Sequence, residues 1–201
     1  MKIIFFLLIN IFFLGNTFAQ TWSTGPDIPI PVRASNTATY TDGDTTWIYL
    51  VSGRSLNDLM TKKVQRFNTV SMVWDTVASH PTGMLGAATA VLGDSLYCVT
   101  GVINPPGGGT ATVWKYNIKN NTWGTVASFP FGTADAKGVA YQDSLIIIAG
   151  GYSTSTYGLV YVYNTKTNSW RPGTSIPSPT GLNFGGFTIS GDTIVYLCGT
   201  S

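Results

Sequence analysis

The sequence predicts an all-β fold assembled from a repeated unit of four short strands, and three observations predict it. Glycines that end an apolar run recur at Gly53, Gly101, Gly150 and Gly199, at spacings of 48, 49 and 49 residues. Tryptophans recur at Trp22, Trp74, Trp123 and Trp170, each followed seven residues later by a proline: Pro29, Pro81, Pro130 and Pro177. Asp94, Asp143 and Asp192 each stand seven residues ahead of their glycine, while Asp44 stands nine ahead of Gly53 because the first hairpin is longer. Markers of such different chemistry do not keep one phase by chance.

Each element of the unit has its own justification. The first strand ends near Tyr40, Val91, Tyr141 and Ile189 and turns through Asp42-Gly43-Asp44, Gly93-Asp94, Gln142-Asp143 or Gly191-Asp192, which are hairpin residues. The second strand is a continuous apolar run (WIYLVSG, LYCVTG, LIIIAG, VYLCG), which implies burial on both faces. The third (VQRFN, VWKYN, VYVYN) alternates β-branched and aromatic residues and ends at Asn68, Asn117 or Asn164. A short polar turn then leads to the tryptophan and a fourth, outer strand.

The apolar run into Ala149-Gly150-Gly151, the Tyr161 to Tyr163 strand and Asn168-Ser169-Trp170 resemble the kelch repeat, over Trp22 to Gly199. The resemblance implies a β-propeller of kelch-type four-stranded blades, about three and a half of them in this chain. Units one, two and four carry Ser52-Gly53, Thr100-Gly101 and Cys198-Gly199 where the family pairs glycines. Approximate units are 26–74, 75–123, 124–170 and a partial 171–201. The last stops straight after its second strand, so the expectation is that further units follow in a longer chain.

Composition sets bounds. Of 201 residues, 44% are hydrophobic, 13% aromatic and only 10% charged, with 23 glycines, which suits an extracellular all-β protein. The formal charge of +2 is spread along the chain and Lys62-Lys63 is the only adjacent basic pair, so no nucleic-acid partner is expected. Residues 1–19 read as a secretory signal: Lys2, the apolar run Ile3 to Leu14, then Thr17-Phe18-Ala19 before Gln20. That run is shorter than the roughly 20 residues that span a bilayer, so no membrane span is expected after cleavage. The predicted location is secreted, extracellular or at the cell surface, with the periplasm an option. Cys98 and Cys198, the only cysteines, fall two units apart, too far for a mutual disulfide, and read as small buried apolar residues.

Kelch geometry places the connections before strand one, and those between strands two and three, on one face of the disc. The resemblance thus implies a binding face carrying Arg33, Ser35, Asn36, Arg54, Asn57, Asp58, Asn104, Asp135, Lys137, Tyr152 and Asn183. Asp135 and Lys137, two apart on a predicted strand, point the same way. They could hydrogen-bond a polyol or sugar, or simply pair with each other in a solvated channel.

Other motifs are weaker. The loop INPPGGGTAT (103–112) has no Lys-Ser or Lys-Thr leading into a helix and is no phosphate cradle. Asp42-Gly43-Asp44 lacks the spaced carboxylates of a calcium loop and reads as a turn. His80, the only histidine, is expected on the opposite face without the partners that a triad or metal site needs. Similar propellers include copper oxidases of sugars, whose two histidine ligands this chain cannot supply, and epimerases that use acidic residues. The chain has no glutamate, and of its nine aspartates four are turn residues. No catalytic residue, cofactor or metal is predicted. The expectation is a binding module for protein or glycan. The alternatives are an N-terminal part of a carbohydrate-active propeller, with catalytic residues in further blades, and a structural or adhesin module.

Overall fold

The computed structural model describes residues 23–103, 108–151, 158–177 and 186–197, and all fourteen of its regular elements are β-strands. Blade one holds β1 (Asn36–Asp42), β2 (Thr45–Val51), β3 (Val64–Asn68) and β4 (Val73–Val77). Blade two holds β5 (Ala88–Leu92), β6 (Ser95–Val99), β7 (Val113–Asn117) and β8 (Thr122–Val126). Blade three holds β9 (Lys137–Tyr141), β10 (Leu145–Ala149), β11 (Val160–Asn164) and β12 (Ser169–Pro172). A two-stranded sheet of β13 (Gly186–Ser190) and β14 (Thr193–Leu197) follows. Each four-stranded sheet is an antiparallel meander, and the first strands β1, β5, β9 and β13 lie side by side. This is the blade architecture of a kelch-type propeller.

The apolar second strands are covered on both faces because alternate residues serve different neighbours. In β6, Leu96 and Cys98 join Tyr49, Val51 and Val64 of blade one, while Tyr97 and Val99 join Ile146, Ile148 and Tyr163 of blade three. In β10, Ile147 and Ala149 turn the other way, with Val160 and Val162, toward Phe187 and Tyr196. The core is therefore a series of seams between blades. Two seams hold an edge-to-face tyrosine pair, Tyr49 with Tyr116 at 6.2 Å and Tyr97 with Tyr163 at 6.0 Å, a geometry that adds about 0.5–1.5 kcal/mol beyond burial.

The register of blade three corrects one alignment. Ser52 N–H donates to Lys63 and Gly150 N–H to Leu159, in each case the residue just before strand three, so Gly150 is the counterpart of Ser52 and Gly151 that of Gly53 and Gly101. The cause is the turn: residues 43–44, 93–94 and 191–192 make two-residue connections, whereas residues 142–144 make one of three. The first turn residue takes positive φ throughout, at Gly43, Gly93 and Gly191 and, without a glycine, at Gln142. Two turn aspartates also join blades, Asp94 accepting the Tyr40 hydroxyl at 2.5 Å and Asp192 that of Tyr141 at 2.7 Å. Cys98 is a free, fully buried thiol, and Cys198 lies outside the described residues, as does the segment read as a signal. Among the described residues no helix is long and apolar enough to cross a membrane.

Candidate functional site: the loop end of the axial cavity

The first strands β1, β5 and β9 wall an open cavity of about 630 Å³, which Phe187 of β13 also reaches. Its wall is made mostly of small residues, with Ser35, Thr37, Thr89, Asp135 and Lys137 among its polar ones. Strands four and three run antiparallel, so the connections leaving strand four and those entering strand three share one end of the blade. That end is the loop face.

Blade one supplies the most developed part of the rim. Arg33, before β1, forms a β-bridge with Arg54, after β2, and Arg54 forms another with Met60. Asp58, at φ 61°, places its carboxylate between both guanidiniums: it pairs with Arg33 and accepts Arg54 Nη1 at 3.1 and 3.2 Å. Arg33, and after it Arg54, holds the Asp58 carboxyl below the usual carboxylate range. Asn57 is exposed beside it. Asn36 is buried and already committed to the seam, its amide donating to Val51 and Met84 and its Oδ1 accepting Ala87 N–H at 2.6 Å.

Blade three supplies the charged pair on the wall. Asp135 precedes β9 instead of lying on it and takes φ 57°, matching Ala34 at 51° and Gly86 at 62° before β1 and β5. The expected strand alternation therefore does not relate it to Lys137. The two line the same cavity, yet no ion pair within 4.0 Å joins them among the described residues. The Asp135 carboxylate lies over Gly86, where an added Cβ would stand 2.6 Å from Oδ1. Burial raises the Asp135 carboxyl above its ordinary value, and the Lys137 ammonium pulls it part of the way back. Asn104, Tyr152 and Asn183 lie outside the described residues.

His80 corrects another expectation. Its N–H donates to Lys62 O at 2.8 Å, in the β2–β3 connection, so it sits at the loop end and not on the opposite face. It is fully buried, with Trp114 at 5.2 Å and Trp123 at 4.7 Å, both edge-to-face. Phe129 holds the same place one blade on, 5.3 Å from Tyr161 and 4.9 Å from Trp170, with its N–H on Ala111 O. His80 is thus a core aromatic that plugs its seam. Nδ1 accepts Gly83 N–H at 3.1 Å, which puts the proton of the neutral ring on Nε2.

Two residues of the loop face escaped the sequence reading. Leu56 and Leu59, at the tip of the β2–β3 connection, are 86% and 68% exposed. Their signal was present: two leucines in the polar stretch RSLNDLMTKK, outside any strand period.

No curated protein sequence matches the chain. The model of the KLHDC2/KLHL20/DRC7 Kelch-repeats domain matches residues 8–199. With that match on nearly the whole length, and with meandering four-stranded blades whose first strands line a cavity, the chain belongs to the kelch-repeat family.

Proposed function

We propose that this chain is an exported kelch-repeat propeller module that binds a protein or glycan ligand at the loop end of its axial cavity. The observation that carries the reading is that Asp135 and Lys137 line one cavity wall, with the Arg33, Arg54 and Asp58 cluster on the connections at the same loop end of blade one. Unpaired with each other, Asp135 and Lys137 keep an acceptor and a donor for a ligand. A rigid β scaffold presenting polar groups from separate loops suits recognition, and membership of a kelch-repeat domain family supports interaction as the task. Export rests on the charged, apolar and small-residue order of residues 1–19.

The test is a screen of the purified chain against glycan and peptide arrays, followed by calorimetry on the best ligand. An Asp135→Asn/Lys137→Ala double variant with unchanged thermal unfolding is expected to weaken binding at least about tenfold. Equal affinity in that variant overturns the reading. For export, the product recovered from a secreting host is expected to begin at Gln20, and retention of residues 1–19 rejects it.

A further inference from the structure

The two leucines at the loop tip stand in water on a backbone braced by its own hydrogen bonds. Ser55 N–H and Oγ both bind Leu59 O, at 2.9 and 3.1 Å, and Asp58 N–H binds Ser55 O at 3.0 Å. Thr61 N–H closes the base on Gly53 O at 3.0 Å. The ion pairs of Asp58 with Arg33 and Arg54 tie the same turn to the chain before β1 and after β2. The exposure of Leu56 and Leu59 is therefore held in place, and a preformed tip binds without first paying to become ordered.

The charge on and beside this connection is net positive. Arg54, Lys62 and Lys63 lie in the same connection and Arg33 beside it, against the single carboxylate of Asp58. Of the other described exposed aliphatics, Val70, Met72 and Val73 belong to the β3–β4 end, across the blade from this rim, while Ile28 and Ile194, at 39% and 40%, are far less exposed than the two leucines.

Resting on the loop-face reading above, we propose that the β2–β3 connection of blade one is a docking tip for an acidic protein segment with apolar side chains. The leucines are its apolar contacts, and Lys62 and Lys63 attract the flanking carboxylates. Charge complementarity selects this occupant over a basic apolar peptide, which the net positive charge would repel, and over a neutral one, which gains nothing from it.

The test is selection from a displayed random library of twelve-residue peptides on the purified chain, then fluorescence anisotropy with labelled synthetic winners. The expected winners combine Asp or Glu with Leu, Ile, Phe or Met, and bind more weakly as salt rises. Leu56→Asn/Leu59→Asn is expected to weaken them at least about tenfold, and Lys62→Glu/Lys63→Glu likewise, with unchanged melting curves since all four positions are exposed. Winners without carboxylates, or indifferent to both variants, overturn the proposal. If such winners are lost in Asp135→Asn/Lys137→Ala, the tip fails while the cavity reading stands. If neither this library nor the glycan array yields a ligand, both fail.

Discussion

The indole N–H of Trp123 donates to the carbonyl of Ala78 at 2.9 Å, joining the fourth strand of blade two to the chain that leaves blade one. The N–H of Ala78 is held as well, by Asn121 Oδ1 at 2.7 Å, so both polar groups of one residue are clasped by the next blade. Trp170 and Asn168 repeat the clasp on Ala127, each at 2.9 Å. In blade one Trp74 reaches Pro26 O at 3.2 Å, but a proline has no N–H to offer, and Met72 stands where the asparagine would.

That substitution pattern predicts opposite signs for one change. Asn121 and Met72 both take left-handed φ, 54° and 58°. Asn121→Gly keeps the backbone unstrained but removes the acceptor for Ala78 N–H and for the Tyr116 hydroxyl at 2.7 Å, so a loss of about 1–2 kcal/mol is expected. Met72→Gly removes only strain and should gain about 0.5–1 kcal/mol. Urea unfolding reads both: an unchanged Asn121→Gly would refute the clasp, and a loss in Met72→Gly would refute the strain at that position.

His80 predicts an acid-sensitive seam. Burial, helped by the nearby Lys62 ammonium, lowers its pKa to about 4 from the usual 6.5. The unfolded chain therefore takes up a proton before the folded one, and stability falls as pH drops from about 6.5 to about 4, by up to about 3 kcal/mol. Above that window the ring is neutral in both states and has no pH effect. His80→Phe copies Phe129 and should erase this slope, leaving Asp58 to contribute acid loss lower down and Asp135 the opposite sign. Urea midpoints at pH 7, 5.5 and 4 measure it, and equal slopes in both proteins would reject it.

Strands and blades were legible because their signals are local: hairpin turns, alternation and apolar runs each occupy a few residues. The slip at Gly150 arose where one turn gained a residue, Ser144, which a fixed spacing cannot register. The placement of His80 failed because the connection leaving strand four was not followed back to the end where strand one begins. The clasp joins residues more than 40 apart, as Trp123 does to Ala78, and pairs a side chain with a backbone, so no periodicity exposes it. Its parts are nonetheless written in Asn121-Thr122-Trp123 and Asn168-Ser169-Trp170. At the site, the grouping of Arg33, Arg54 and Asp58 followed from loop order, whereas the left-handed backbone of Asp135 did not, since it is no glycine.

Gly101 marks a close backbone approach within blade two, between the chain entering β5 and the chain leaving β6. At φ 101°, an added Cβ would stand 2.9 Å from Leu85 O, which accepts Val102 N–H, and 3.1 Å from Ala87 N, which is held by Asn36 Oδ1. Neither can move alone, so Gly101→Ala is expected to cost at least about 2 kcal/mol. Gly124→Ala on β8, with nothing within 4 Å of the new methyl, should be neutral or slightly stabilising. Similar melting temperatures for the two variants would contradict the close approach.

Ile147 tests whether a second strand is covered on its far face. The side chain is 6% exposed and packs with Ala149, Val160 and Val162 beside Phe187 and Tyr196, while Ile146 and Ile148 fill the seam with blade two. Ile147→Asp would bury a carboxylate with no partner, at a cost of several kcal/mol, and should unfold blade three. Lys166→Ala, at an exposed turn of the same blade, should shift stability by less than about 0.5 kcal/mol. If the aspartate variant instead melts with the parent and stays soluble, that face of β10 meets water, and the alternation that builds each seam from two blades would not extend beyond blade three.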